Sequence, residues 1–126
     1  MRLLDADVCV DLIRLLPAAD AWFRAQKDEL AIPGFVVIEL IVGCRDKAAL
    51  KTLRAFLEYF PVIWATESAM NRAADDYAPL HLSNGLGGFD ALIAATAVEK
   101  NCVLLTFNTR HFAAVPGLII QEPYLK

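Results

Sequence analysis

Histidine, paired cysteine and long apolar runs are what this chain lacks. Only His81 and His111 occur, and neither is placed for a nucleophilic triad. Cys9, Cys44 and Cys102 are odd in number, far apart and set in or beside apolar segments. No Cys-x-x-Cys or Cys/His spacing is present, which excludes the common zinc sites, and the thiols read as reduced core residues of a cytoplasmic protein. No stretch approaches the roughly 20 apolar residues that cross a bilayer, so no membrane association is expected. Acids at positions 5, 7 and 11 and the absence of a small-residue cleavage site argue against a secretory signal. Nor is there an excess of positive charge: 12 basic residues face 15 acidic ones, for a net charge of −3. That balance disfavours an extended nucleic-acid-binding surface and leaves room only for a local basic strip. Repeats, low-complexity segments and linkers are also missing.

What is present is apolar: 57% of the 126 residues are hydrophobic, and the mean hydropathy is +0.44. A chain of this length reads as a single domain, residues 1–126, that buries roughly two thirds of its unfolded surface. The apolar excess implies a large core or a face reserved for a partner. Short strands are expected at Leu3-Leu4, Leu30–Ile32, Val62–Trp64, Val103–Thr106 and Leu118–Ile120. Between them the pattern predicts helices over Asp7–Leu16, Ala18–Lys27, Pro33–Val42, Asp46–Tyr59, Glu67–Leu80 and Phe89–Lys100. Residues 83–88 read as a loop and Asn108–Phe112 as a short turn. Apolar strands separated by helices predict a three-layer α/β/α sandwich with a central, mostly parallel sheet. Ligands of such sheets collect at the carboxyl ends of the strands.

Three carboxylates interrupt the most apolar stretches. Asp5 follows Leu3-Leu4, Glu39 splits Val36-Val37-Ile38 from Leu40-Ile41-Val42, and Asp90 opens Ala91-Leu92-Ile93-Ala94-Ala95. An ionised carboxylate buried without a partner is strongly disfavoured, so each needs a cation, hydrogen bonds or a raised pKa. A shared metal ion satisfies all three. Asp7 stands two residues beyond Asp5 and reads either as a further ligand or as the cap of the first helix. The plainer alternatives are an ion pair from Glu39 to Arg2 or Arg110, and a helix-capping role for Asp90. Oxygen donors without nearby His or Cys select Mg²⁺ or Mn²⁺, and an acid cluster holding such an ion suits phosphodiester hydrolysis by a metal-activated water.

Four blocks in order, Leu3-Leu4-Asp5-Ala6-Asp7-Val8, Val36-Val37-Ile38-Glu39-Leu40, Asp90–Ala97 and Thr106-Phe107-Asn108-Thr109-Arg110-His111-Phe112, resemble the successive signatures of PIN-domain ribonucleases. The likeness runs from Leu3 to Ile120 and is greatest to the toxins of VapBC toxin–antitoxin pairs. It implies an Mg²⁺- or Mn²⁺-dependent endoribonuclease, with Asp5 and Asp90 as principal ligands and Glu39 completing the site directly or through water. It further implies inhibition by a small VapB-type antitoxin and a homodimer. Many relatives carry another acid in the fourth block, where this chain has Asn108 and His111; Asn108 ligates only through its carbonyl or a water, which favours one ion over two. The hydroxyls of Thr106 and Thr96 are candidates for orienting site waters, Thr96 being better suited to core packing.

For RNA contacts, Lys47, Lys51 and Arg54 form a basic stripe on one helix, which reads equally as a solvated face. Arg110, beside the fourth block, suits a phosphate better. Leu12, Ile13, Leu15, Leu16, Trp22 and Phe23 exceed what one helix pair hides against a sheet, so Leu12, Ile13, Leu16, Trp22 and Phe23 are expected to line a groove for an amphipathic antitoxin helix. The rival readings are a PIN-like domain that binds without cutting, a signalling receiver domain and a haloacid-dehalogenase-type phosphatase. A receiver needs a mid-chain acceptor Asp at a strand end and a Lys after a late strand; here Glu39 falls mid-helix and Lys100 precedes its strand. The phosphatase pattern is broken by Cys9, the short chain and the lack of a late acidic pair.

Overall fold

The computed structural model describes residues 1–126. Along the chain run β1 (Arg2–Leu4), α1 (Ala6–Ile13), α2 (Pro17–Ala25), β2 (Leu30–Pro33), α3 (Gly34–Val42), α4 (Lys47–Leu57) and β3 (Val62–Ile63). They are followed by α5 (Glu67–Asp75), α6 (Ala78–Asn84), α7 (Gly88–Lys100), β4 (Val103–Leu105), α8 (Thr109–Phe112) and β5 (Ile120–Gln121). The strands form one sheet in the order β3-β2-β1-β4-β5, every pair parallel. In the central pair Leu3 lies opposite Leu104 and Leu4 opposite Leu105.

Neighbouring residues of a strand point to opposite faces. Leu3 and Leu4 are both fully buried, as are Leu104 and Leu105, so helices cover the sheet on both sides. This is the expected three-layer α/β/α arrangement, and it explains why the strands are apolar throughout rather than alternating. The chain builds outward from β1 through β2 to β3, then returns to the other flank of β1 with β4. The order therefore reverses at β1/β4, and in open parallel sheets the crevice above such a switch is where ligands sit.

Local signals set most helix ends. Asp46 caps α4 by accepting the Ala49 N–H at 2.8 Å, and Thr66 caps α5 through the Ala69 N–H at 3.2 Å. Pro17 begins α2, where a missing N–H costs nothing. Asn101 ends α7 in the left-handed conformation at φ 54°.

Several expectations shift. The helix expected over Glu67–Leu80 is two helices with a corner at Asp76-Tyr77. Pro79 has no N–H and its ring collides with the carbonyl four residues back, while buried Tyr77 anchors the bend. Pro33 ends β2 and precedes α3 instead of opening it. Helix α6 continues to Asn84, so only residues 85–87 of the expected loop are irregular, and the last strand lies at Ile120–Gln121 rather than Leu118–Ile120.

Candidate metal centre

Asp5 is the first residue after β1, at the reversal point of the sheet, and is 5% exposed. Its two oxygens are tied down separately. Oδ1 accepts the Ala6 N–H at 2.8 Å, and Oδ2 accepts the hydroxyl of Thr106, the first residue after β4, at 2.7 Å. Thr106 is fully buried and its oxygen in turn accepts the Asn108 N–H at 3.0 Å. The carboxyl ends of the two strands at the switch point are thus joined by a side-chain bond.

Asp7 is fixed by a parallel device: Oδ1 accepts the Val8 N–H at 2.8 Å and Oδ2 the Phe107 N–H at 2.9 Å. The capping role expected of Asp7 belongs to Asp5, which occupies the position before α1, whereas Asp7 lies within its first turn. The helix starts one residue earlier than expected because Ala6, unlike Asp5, already follows the β1–β4 ladder.

Glu39 projects from the middle of α3 and its carboxylate accepts no hydrogen bond; the ion pair considered for it is absent, because Arg2 pairs with Asp28 at 3.7 Å and bonds Gln26, while Arg110 pairs with no acid. Asp90 lies in the first turn of α7. One of its oxygens receives the Gly87 N–H at a long 3.4 Å, so a capping role is partly realised, and the same oxygen stands 3.8 Å from His111 Nδ1.

Within this group, neighbouring acids raise the proton affinity of Asp5 and Glu39. Burial, then Asp7, then Glu39 lift the Asp5 carboxyl from 3.8 to about 7, against the opposing hydrogen bonds from Thr106 and Ala6. Asp7 is raised chiefly by burial, despite the Phe107 and Val8 N–H groups and the Lys126 ammonium. Burial, followed by Asp90 and Asp7, raises Glu39. No basic side chain forms an ion pair with Asp5, Asp7 or Glu39. Clustered oxygen donors with an uncompensated charge fit a hard divalent cation. No three acidic, imidazole or thiolate side chains close into a ready-made shell.

The other expected residues scatter. Asn108 sits half-buried at the entrance to α8, its side chain making no cap bond. Thr96 is fully buried and donates its hydroxyl to the Leu92 carbonyl within its own helix at 2.7 Å. Lys47, Lys51 and Arg54 are exposed on α4 and Arg110 is exposed on α8. The apolar set divides. Leu12 and Phe23 face a small cleft of about 150 Å³ with Phe56, Tyr59 and Phe60, and Trp22 packs on Tyr124 with centroids 5.7 Å apart. Leu16 is half-buried against the core. Only Ile13 reaches the larger groove, about 490 Å³ between α1, α3 and α4, whose apolar lining includes Ala6, Val10 and Leu40, with Glu39 and Arg14 at its polar edge. Small residues make it: Ala6, Gly43 and Ala49 leave the three helices unable to close. Of the three, only Ala49 falls within a helix that the pattern placed; Ala6 and Gly43 lie one residue outside the expected helices.

Similarity to known proteins agrees with this geometry. Residues 2–118 match the PIN domain family. The chain is 36% identical over 132 residues to "Ribonuclease VapC19" of Mycobacterium tuberculosis, covering 98% of this chain and 100% of that protein. It is 40% identical over 131 residues to "Ribonuclease VapC10" of the same species, covering 93% and 96%. Among solved structures, a toxin–antitoxin complex from Klebsiella pneumoniae superposes with TM-score 0.77 at 27% identity, covering 98% of each chain. On the family match and these identities, the chain belongs to the PIN-domain family.

Proposed function

We propose that this chain is a metal-dependent endoribonuclease, the toxin of a type II toxin–antitoxin pair. The observation that carries the reading is Asp5: a buried carboxylate at the switch point, locked by Thr106, crowded by Asp7 and Glu39, and matched by no cation. The relatives named as ribonucleases and the Klebsiella toxin–antitoxin complex support it. Mg²⁺ or Mn²⁺ suits the donors, with Asp5, Asp90 and Glu39 as ligands, direct or through water, and Asp7 and Asn108 at the margin. The chemistry such an ion supplies is charge neutralisation at a phosphodiester and acidification of water. The chain's own residues do the rest. Thr106 and the Ala6 N–H hold Asp5 in one orientation, and the Phe107 N–H does the same for Asp7. Glu39, without a hydrogen bond and with a raised proton affinity, is the acid free to take a proton from the attacking water.

The groove beside Glu39 is the seat for the antitoxin: its floor is apolar, one acid of the cluster lines it, and a helix laid there covers the site's approach. Dimerisation has an apolar surface available in the aromatic group Phe35, Trp64 and Phe89, the latter two substantially exposed. No helix is long and apolar enough to cross a membrane, and the free cysteines suit a reducing cytoplasm.

The test is cleavage of single-stranded RNA by the purified protein with Mg²⁺, with Mn²⁺ and with EDTA. Cleavage that depends on the divalent ion and vanishes in Asp5→Asn and Asp90→Ala supports the proposal; cleavage surviving both substitutions removes this site.

A further inference from the structure

Beyond His111, on the side away from the acids, the fourth sequence block opens onto a second cleft. Ser83, Asn84 and Gly85 at the end of α6 face Arg110 and His111 of α8 across about 340 Å³, and no hydrophobic residue lines it. We propose that this cleft binds a backbone phosphate of the RNA adjacent to the one that is cut. The proposal rests on the nuclease reading and gives it a substrate-positioning site.

The lining excludes apolar occupants and favours an anion. Arg110 is exposed and forms no ion pair, so a permanent charge with forked donors is unused. Ser83 Oγ donates to Asn84 Oδ1 at 2.7 Å, which occupies the amide oxygen and leaves its NH₂ as a donor. Two carbonyls of the last turns of α6, those of His81 and Leu80, already accept the Gly85 and Leu86 N–H groups at 3.1 and 3.3 Å. Gly85 adopts the left-handed conformation at φ 72°, and a Cβ there would lie 3.7 Å from His111 Nε2, in the space between α6 and α8. That Cβ would make only ordinary contact, so it is the positive φ that calls for glycine.

Position adds the link to catalysis. His111 turns Nδ1 towards Asp90, 3.8 Å away, and Nε2 towards Gly85. One imidazole ring therefore separates the acid cluster from the cleft. A strand of RNA with its scissile phosphate over the acids brings a neighbouring phosphate to Arg110. On a chain whose net charge is −3, such a local cation is what offsets general repulsion.

The experiment uses Asp5→Asn protein, which does not cut, and a fluorescent single-stranded RNA titrated at several salt concentrations. Adding Arg110→Ala is expected to weaken binding to every sequence alike. It also lowers the slope of log affinity against log salt by about 0.7, the share of one single-strand phosphate; Arg110→Lys restores the slope. A methylphosphonate at one linkage weakens binding by the Arg110 protein and has no effect on the Arg110→Ala protein. An unchanged slope, or equal methylphosphonate sensitivity in both, overturns the cleft while RNA cleavage by the unmodified protein leaves the nuclease reading standing. Loss of polyglutamate binding with RNA binding intact assigns the cleft to an acidic protein segment and overturns it too. An unmodified protein that neither binds nor cuts RNA ends both. Arg110 is exposed, so equal melting temperatures establish that the variants fold.

Discussion

Thr106 Oγ1 donates to Asp5 Oδ2 at 2.7 Å, a bond between residues 101 positions apart that closes the crevice above the two central strands. Because Thr106 is fully buried, no water replaces the bond when it is lost. Thr106→Val keeps the shape and removes the donor. Its expected cost is about 1–3 kcal/mol of stability for the ionised site, read by urea unfolding at pH 8, together with weaker Mn²⁺ binding. Thr106→Ser retains both properties.

Asp5→Asn separates a structural carboxylate from a functional one. An ionised acid crowded by other acids destabilises the fold, so the amide is expected to raise the melting temperature of the metal-free protein while abolishing RNA cleavage. A lower melting temperature would show that Asp5 supports the fold through its charge.

The pH dependence follows from the same residue. Its carboxyl is lifted from 3.8 to about 7, first by burial, then by Asp7 and Glu39. A raised pKa means the folded state holds the proton more tightly than the unfolded one. The stabilising contribution is therefore complete below about pH 4 and is lost as pH rises to 7. Metal-free protein is expected to lose stability between pH 5 and 7.5, and Asp5→Asn to lose less over that window. Affinity for Mn²⁺ runs the other way, falling as pH drops through 7 because the proton competes for the ligand. Calorimetric titration at pH 6 and pH 8 checks it.

Gly34 carries the Trp64 ring. A Cβ there would stand 2.2–2.5 Å from three ring carbons, so the half-exposed ring must move away from the backbone. Gly34→Ala is expected to expel Trp64 and cost about 1–3 kcal/mol. A red-shifted tryptophan emission and a lower urea midpoint are the measurements. The same substitution perturbs the aromatic surface formed with Phe35, so dimer formation by light scattering is expected to weaken as well.

The strands and their parallel sense were legible because each is a short apolar run between helical patterns. The acids were legible because Asp5, Glu39 and Asp90 break such runs. What the residues did not disclose lay in contacts across the chain. Asp7 reads as a cap from its local sequence, yet the Phe107 N–H claims it from a loop a hundred positions away. The break at Tyr77 had a visible cause in Pro79, outweighed by the continuous helical pattern around it. Apolar periodicity marks which faces are buried, not which remain uncovered. Leu12 and Phe23 found partners in the chain itself, whereas the spaces beside Ala6, Gly43 and Ala49 stayed open.

Strand β4 lies between β1 and β5, although just over four fifths of the sequence precedes it. During synthesis Asp5, Asp7 and Glu39 are therefore made long before Thr106, which fastens the first of them. The side-chain bond that fixes Asp5 therefore cannot form until almost the whole polypeptide is made.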